Sequence, residues 1–170
     1  MDEIFVEQIV KRKTGISVVL MRVFSIIVLI MAFLLMLMFN LGILAFTIEI
    51  LLIYGEYMLW CYTSIEYEYS LVNGEFSVDK IMGQRKRKKV AEFDMKNAEI
   101  MADADSEEIL RRVNNEMKVL DYSSREAGKL KYAVIFNEAN GITEMIFEPN
   151  EKMVEALHKI RPSIVRIANR

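Results

Sequence analysis

Five consecutive cations, Arg85, Lys86, Arg87, Lys88 and Lys89, are the densest chemical feature of this sequence. Guanidinium and ammonium groups at that density attract anions: phosphate oxygens, acidic side chains, or the surface of a negatively charged bilayer. A second feature lies upstream. Arg22, Glu49 and Glu56 stand inside a long, largely apolar stretch. A charge in such surroundings is costly, so each of these groups needs a partner or a function.

Other chemistries find little support. Cys61 is the only cysteine and His158 the only histidine, which leaves no disulfide within the chain and a poor basis for a transition-metal site. No metal or cofactor is expected. Ser123 and Ser124, beside Arg125 and Glu126, lack the histidine that a nucleophilic triad needs and read as a turn. The "AGK" at Ala127–Lys129 lacks the preceding glycine and following Ser/Thr of a phosphate loop. Cys61 stands at the end of the apolar stretch, where either an acylated or an unmodified packing thiol fits. With no catalytic cluster in view, the chain reads as non-enzymatic. A net charge of −2 gives no global basic character for nucleic acid, and no aromatic residue interleaves the cations between Gly83 and Val90.

The elements that must position these groups divide sharply. The chain is 53% hydrophobic yet 27% charged, the mark of one greasy part and one ordinary part. As a single helix, Ile16–Tyr62 would be about 70 Å long, more than twice the hydrocarbon core of a bilayer. Asn40–Gly42 supplies turn chemistry near its middle. The expectation is a transmembrane helical hairpin over residues 16–62, with spans at about 17–39 and 41–60. Tyr54, Tyr57, Trp60 and Tyr62 then form an interfacial belt at the end of the second span. A cleaved signal peptide is the competing reading, but the stretch is too long and no A-x-A site follows it. Lys11, Arg12, Lys13 and Arg22 flank the first span, the link carries no charge, and the cationic run follows the second span. The positive-inside rule therefore places the protein in the cell membrane with both termini cytoplasmic. Residues 1–15 form a cytoplasmic N-terminal segment in this reading. Folded at Leu41, the hairpin sets Arg22 about one turn from Glu56, an expected ion pair, and leaves Glu49 level with Phe33 and without a charged partner.

From Ser64 onward the pattern is that of a small α+β domain. Ile65–Val72 alternates, Asn73-Gly74 is a hairpin turn, and Glu75–Met82 alternates again. "KRKKVAEFDM" and "NAEIMA" supply a third and a fourth strand. "DSEEILRRVNNEM" reads as a short helix or helical loop. "KVLDYSS", "LKYAVIFN" and "ITEMIFEP" supply three more strands, and Asn150 caps a final amphipathic helix that ends near Arg161-Pro162.

Several stretches look familiar: "FVEQIVKRK", the two apolar spans, "EYEYSLVNGEFSVDKI", "RKRKK" and "IFEPNEKMVEAL". Nearly the whole chain resembles a family of small bacterial membrane proteins in which a two-helix membrane hairpin is followed by a pleckstrin-homology-like (PH-like) domain. The resemblance implies a seven-strand, partly open β-barrel over residues 64–161, capped by the C-terminal helix, with residues 162–170 as a tail. It implies no catalytic residues. The "DSEEILRRVNNEM" segment departs from that pattern, being longer than a simple turn requires.

The functional expectation is a membrane-anchored binding or scaffold module. Its partners would be the bilayer, anionic lipid headgroups, or a membrane protein, including a second copy of the chain. The run Arg85–Lys89 would orient the domain on the leaflet, although lysines that merely guard a solvated edge strand give the same composition. The alternative is an accessory subunit or small oligomeric transporter that works through intramembrane Glu49.

Overall fold

A computed structural model describes residues 4–39, 41–113, 117–138 and 141–167. Asn40, central to the expected link, lies outside the described residues, as do parts of the expected helical insert and of the last hairpin turn. The chain divides into two units, one of helices and one built on sheets.

The helical unit comprises Thr14–Ile65 and Met82–Lys86. Helix α1 is Ile16–Met38 and α2 is Ile43–Thr63, and both are long and apolar enough to cross a membrane. Half-buried residues of α1 recur as Val18, Arg22, Ser25, Leu29, Ala32 and Met36, a heptad spacing that marks the seam toward α2. On α2 the covered positions include Ala45, Glu49 and Glu56. Both carboxylates thus lie on the seam, away from the outer apolar surface.

The other unit holds Met1–Lys13, Glu66–Ile81 and Arg87–Arg170. Here the structure corrects the expected strand count. Eight strands, not seven, are present among the described residues, in two four-stranded sheets and not a closed barrel. The additional strand is β1, Phe5–Lys11, inside the segment expected to stand apart as an N-terminal piece. What alternates along it is exposure, with Phe5, Glu7, Ile9 and Lys11 outward and Val6, Gln8 and Val10 covered, as a pleated strand requires. It pairs antiparallel with β2, Ile65–Val72, in a register running from Phe5↔Val72 to Lys11↔Glu66. The two helices are therefore an insertion between two paired strands.

The first sheet continues through β3 (Glu75–Met82) to β4 (Lys86–Asp94), in the order β1-β2-β3-β4. Asn73 and Gly74 join β2 to β3 with φ of 49° and 100°, the double left-handed geometry of the expected tight turn. The second sheet has the order β5-β7-β8-β6 (Ala98–Asp103, Tyr132–Glu138, Gly141–Phe147, Lys118–Asp121). Strand β6 lies parallel to β8, a pairing that chain order alone does not imply.

Between the sheets the core is aromatic. Tyr69, Phe76 and Phe147 meet with ring centroids 5.1–6.1 Å apart, and Phe93 stacks on Phe136 at 4.3 Å. The Tyr69 hydroxyl donates to the Tyr122 carbonyl at 2.7 Å. The far side of the second sheet is covered as well: Ile109, from the short helix α3 (Glu107–Leu110), packs on Ile100, Ala102, Ala133 and Ile135. A strand covered on both faces reads as a continuous apolar run, and "YAVIF" of β7 does so. Helix α4, Glu151–Ile160, is capped by Asn150, whose side chain accepts from the Met153 N–H at 2.8 Å, and it buries Met153, Val154, Ala156 and Leu157. Part of the expected tail is also placed. Ile164–Arg166 bonds the outer edge of β5 through the Met101 N–H and C=O, satisfying an otherwise bare strand edge.

Candidate functional site

The cationic run begins in a tight turn and continues along an edge strand. Gly83 and Gln84 both have φ of 56°, and the Arg85 N–H returns to the Met82 carbonyl at 3.2 Å. Within the helical unit this turn is fastened to the end of α2. The Gly83 N–H donates to the Ser64 carbonyl at 2.9 Å, and an added Cβ at position 83 would fall 2.7 Å from the Cys61 Cβ. Glycine is required here twice over, for its left-handed φ and for the close approach. The Arg85 guanidinium lies 5.5 Å from the centre of the Tyr57 ring.

The five cations do not act alike. Lys86 to Lys89 are all exposed at the start of β4. Arg87 reaches Glu68 of β2, Nη2 to Oε2 at 2.6 Å, and supplies the counter-charge to a buried carboxylate. Lys89 pairs with Glu92 at 2.9 Å, and that hydrogen bond raises the lysine's pKa. Arg85, Lys86 and Lys88 have no ion-pair partner among the described residues. Lys11, Arg12 and Lys13 are in the same state. Arg12 donates to the Tyr67 hydroxyl at 2.7 Å, a neutral acceptor that leaves its charge uncompensated. In the chain, Lys11, Arg12 and Lys13 come just before α1, whereas Arg85, Lys86 and Lys88 come after β2 and β3, and the turn that starts with Gly83 is bonded back to Ser64 at the end of α2.

The apolar helices carry the second group of expected residues, and here the expected Arg22–Glu56 ion pair does not form. Helical side chains lean toward their own N-terminus, so Arg22 reaches past Glu56 to the end of α2. Its Nε and Nη2 donate to the Thr63 hydroxyl at 3.0 and 2.7 Å, and Nη2 also meets the Ser64 hydroxyl at 3.1 Å. Its guanidinium sits 4.6 Å from the Trp60 ring centre. Glu56 Oε1 instead accepts from the Trp60 indole N–H at 2.7 Å and from the Ser25 hydroxyl at 3.0 Å. Glu49 keeps one carboxyl oxygen, Oε2, fully covered and without a hydrogen-bond partner among the described residues.

Sequence reasoning missed the aromatic partners of the two arginines. The available signal was Tyr57 and Trp60 three residues apart, on neighbouring turns of α2 beside two basic groups. The remaining candidates serve the architecture. Ser124 is buried and donates to Glu148 Oε1 at 2.8 Å, Ser123 donates to Asp121, and His158 Nδ1 lies 3.3 Å from the Val165 carbonyl. A cleft of about 410 Å³ beside β5 and α3 is lined by Arg111, Arg112 and Arg166, balanced by Glu99, Glu107 and Glu108. No group of metal-binding residues is present among the described residues.

No curated protein and no solved structure matches the chain. A family described as Bacterial PH-like domain (DUF6106) does match, over residues 2–167. That span takes in β1, both apolar helices and the two sheets together, so the helical insertion is part of the family pattern and not an appendage. The chain belongs to this bacterial PH-like domain family.

Proposed function

We propose that the protein is a non-enzymatic, membrane-anchored binding module. The α1–α2 hairpin spans the bacterial cell membrane, both termini are cytoplasmic, and the PH-like domain is held on the anionic leaflet by the cations that flank the hairpin. One observation carries the reading: the turn that starts the cationic run is bonded to the last turn of α2, through Gly83 and Ser64. Cations fastened at the end of a span lie at headgroup level. The pairing of β1 with β2 supports the topology, because strands hydrogen-bonded to each other lie on one side of a bilayer. The excess of Lys and Arg beside both span ends supports the cytoplasmic side.

The magnitudes favour docking. A Lys or Arg near an anionic leaflet contributes about 1 kcal/mol. Arg87 and Lys89 are engaged by Glu68 and Glu92, so they add little. Lys11, Arg12, Lys13, Arg85, Lys86 and Lys88 remain, and together they contribute about 6 kcal/mol where all six reach the surface. The test uses the full chain in nanodiscs of phosphatidylglycerol or phosphatidylcholine. Amide exchange over residues 84–90 is expected to be slower in the anionic discs at low salt, and the difference to vanish at high salt or in the double variant Lys86→Gln, Lys88→Gln. Equal exchange in both lipids would refute docking.

A second reading rests on Glu49, whose covered carboxyl oxygen lacks a donor. Two helices make no pathway alone, so that role needs several copies or a larger partner. Transport lost on Glu49→Gln, with leaflet docking intact, would favour it.

A further inference from the structure

The end of the hairpin holds two guanidinium groups without a counter-charge. Arg22 is half-buried, and every acceptor it meets is neutral: the Thr63 and Ser64 hydroxyls and, at 3.4 Å, the Trp60 carbonyl. These contacts engage Nε and Nη2 and leave both N–H groups of Nη1 unused among the described residues. Glu56, the expected partner, gives its Oε1 to Ser25 and Trp60 and forms no ion pair with Arg22 among the described residues. Arg85, fixed over Tyr57, likewise has no acidic partner. A guanidinium at a bilayer boundary, partly desolvated and with two N–H donors free, suits an oxygen of a phosphate group.

We infer that this collar is a binding site for a single anionic phospholipid, with its phosphate on Arg22 and the rim of the site formed by Arg85. The inference rests on the membrane reading above. The choice of an anionic over a zwitterionic lipid follows from the rings. Trp60 and Tyr57 are the surfaces that would cage a choline ammonium, and each is already faced by an arginine. A choline would meet an arginine already at each ring, whereas a glycerol headgroup brings none of that repulsion. The site is therefore distinct from the diffuse attraction of the leaflet: it selects one molecule by geometry, inside the helical unit.

Native mass spectrometry of the full chain in detergent tests it, after incubation with equal amounts of phosphatidylglycerol and phosphatidylcholine. One phosphatidylglycerol is expected to be retained with about tenfold preference, the scale of one charge-assisted hydrogen bond made or lost. Arg22→Gln should reduce that occupancy about as much, while Lys152→Gln, at an exposed position of α4, leaves it unchanged. Equal retention of both lipids by the wild-type chain would overturn the proposal, and this arm stands even where Arg22→Gln fails to fold. Displacement of the lipid by inorganic phosphate would also overturn it, by assigning the site to the free anion. Because micelles present no anionic leaflet, this result and the nanodisc exchange result can each fail alone.

Discussion

Substituting Gly83 by alanine isolates the contact on which the functional reading depends. Two costs arise at this position. The φ of 56° lies in the left-handed region, which costs a non-glycine residue about 1 kcal/mol. The new methyl would also stand 2.7 Å from the Cys61 Cβ and 2.8 Å from its Cα. Neither atom is the end of a flexible chain, so the helix or the turn must move, and such overpacking costs a further 1–3 kcal/mol or about that. Gly128 is the internal control. Its φ is 80°, but nothing lies within 4 Å of an added Cβ, so Gly128→Ala meets the conformational cost alone.

The cheapest relief for Gly83→Ala is release of the turn, which breaks the bond from the position-83 N–H to the Ser64 carbonyl. A local loss of about 2 kcal/mol corresponds to roughly 30-fold faster opening. Amide exchange at position 83, followed on the full chain in nanodiscs, should accelerate on that scale, and the anionic-lipid protection over residues 84–90 should shrink with it. Gly128→Ala should leave both unchanged. Unaltered exchange at position 83 would refute the contact. Faster exchange with undiminished lipid protection would show that the cations dock without being fastened to α2.

Two further perturbations address the sheets. Val10→Asp places a carboxylate at a buried β1 position opposite Tyr67, and an unpaired buried charge of this kind should abolish stable folding of the sheet unit, read as lost protection in β2. Tyr69 is buried, and burial pushes its phenol pKa well above the usual value near 10. Its contribution to stability is therefore complete below pH 10 and is lost as pH rises toward the folded-state value. An alkaline unfolding titration should show that loss, and Tyr69→Phe should blunt it while lowering neutral-pH stability by about 1 kcal/mol through the missing bond to Tyr122.

What could be read from the sequence is what local chemistry determines. Asn73-Gly74 specifies its turn by the φ values it tolerates, and Asn150 specifies the start of α4 through its own side chain. The long apolar helices follow from composition. Strand β1 was not legible because its partner lies beyond the whole helical insertion, and FVEQIVK neither alternates in polarity nor carries a sign of whom it pairs with. The parallel position of β6 beside β8 is likewise a tertiary choice. At the candidate site, the cationic run was visible but its division was not. Which cations are free depends on Glu68 and Glu92, and only the fold brings Glu68 to Arg87. The Arg22 assignment failed for a different reason: counting residues sets two helices level at the backbone, while the side chain leans a turn away.

The position of the helices in the chain has a consequence for the sheet unit. The hairpin is inserted between β1 and β2, which pair in one antiparallel ladder running from Phe5↔Val72 to Lys11↔Glu66. The same arrangement makes β1 indispensable. A chain starting at Ser64 would carry β2 as a bare edge, with Tyr67 stripped of its neighbour Val10 and of the bond from Arg12, so the proposed leaflet docking has to be tested on the intact protein. It also constrains folding: the ladder between β1 and β2 cannot form until both helices and β2 have been synthesised.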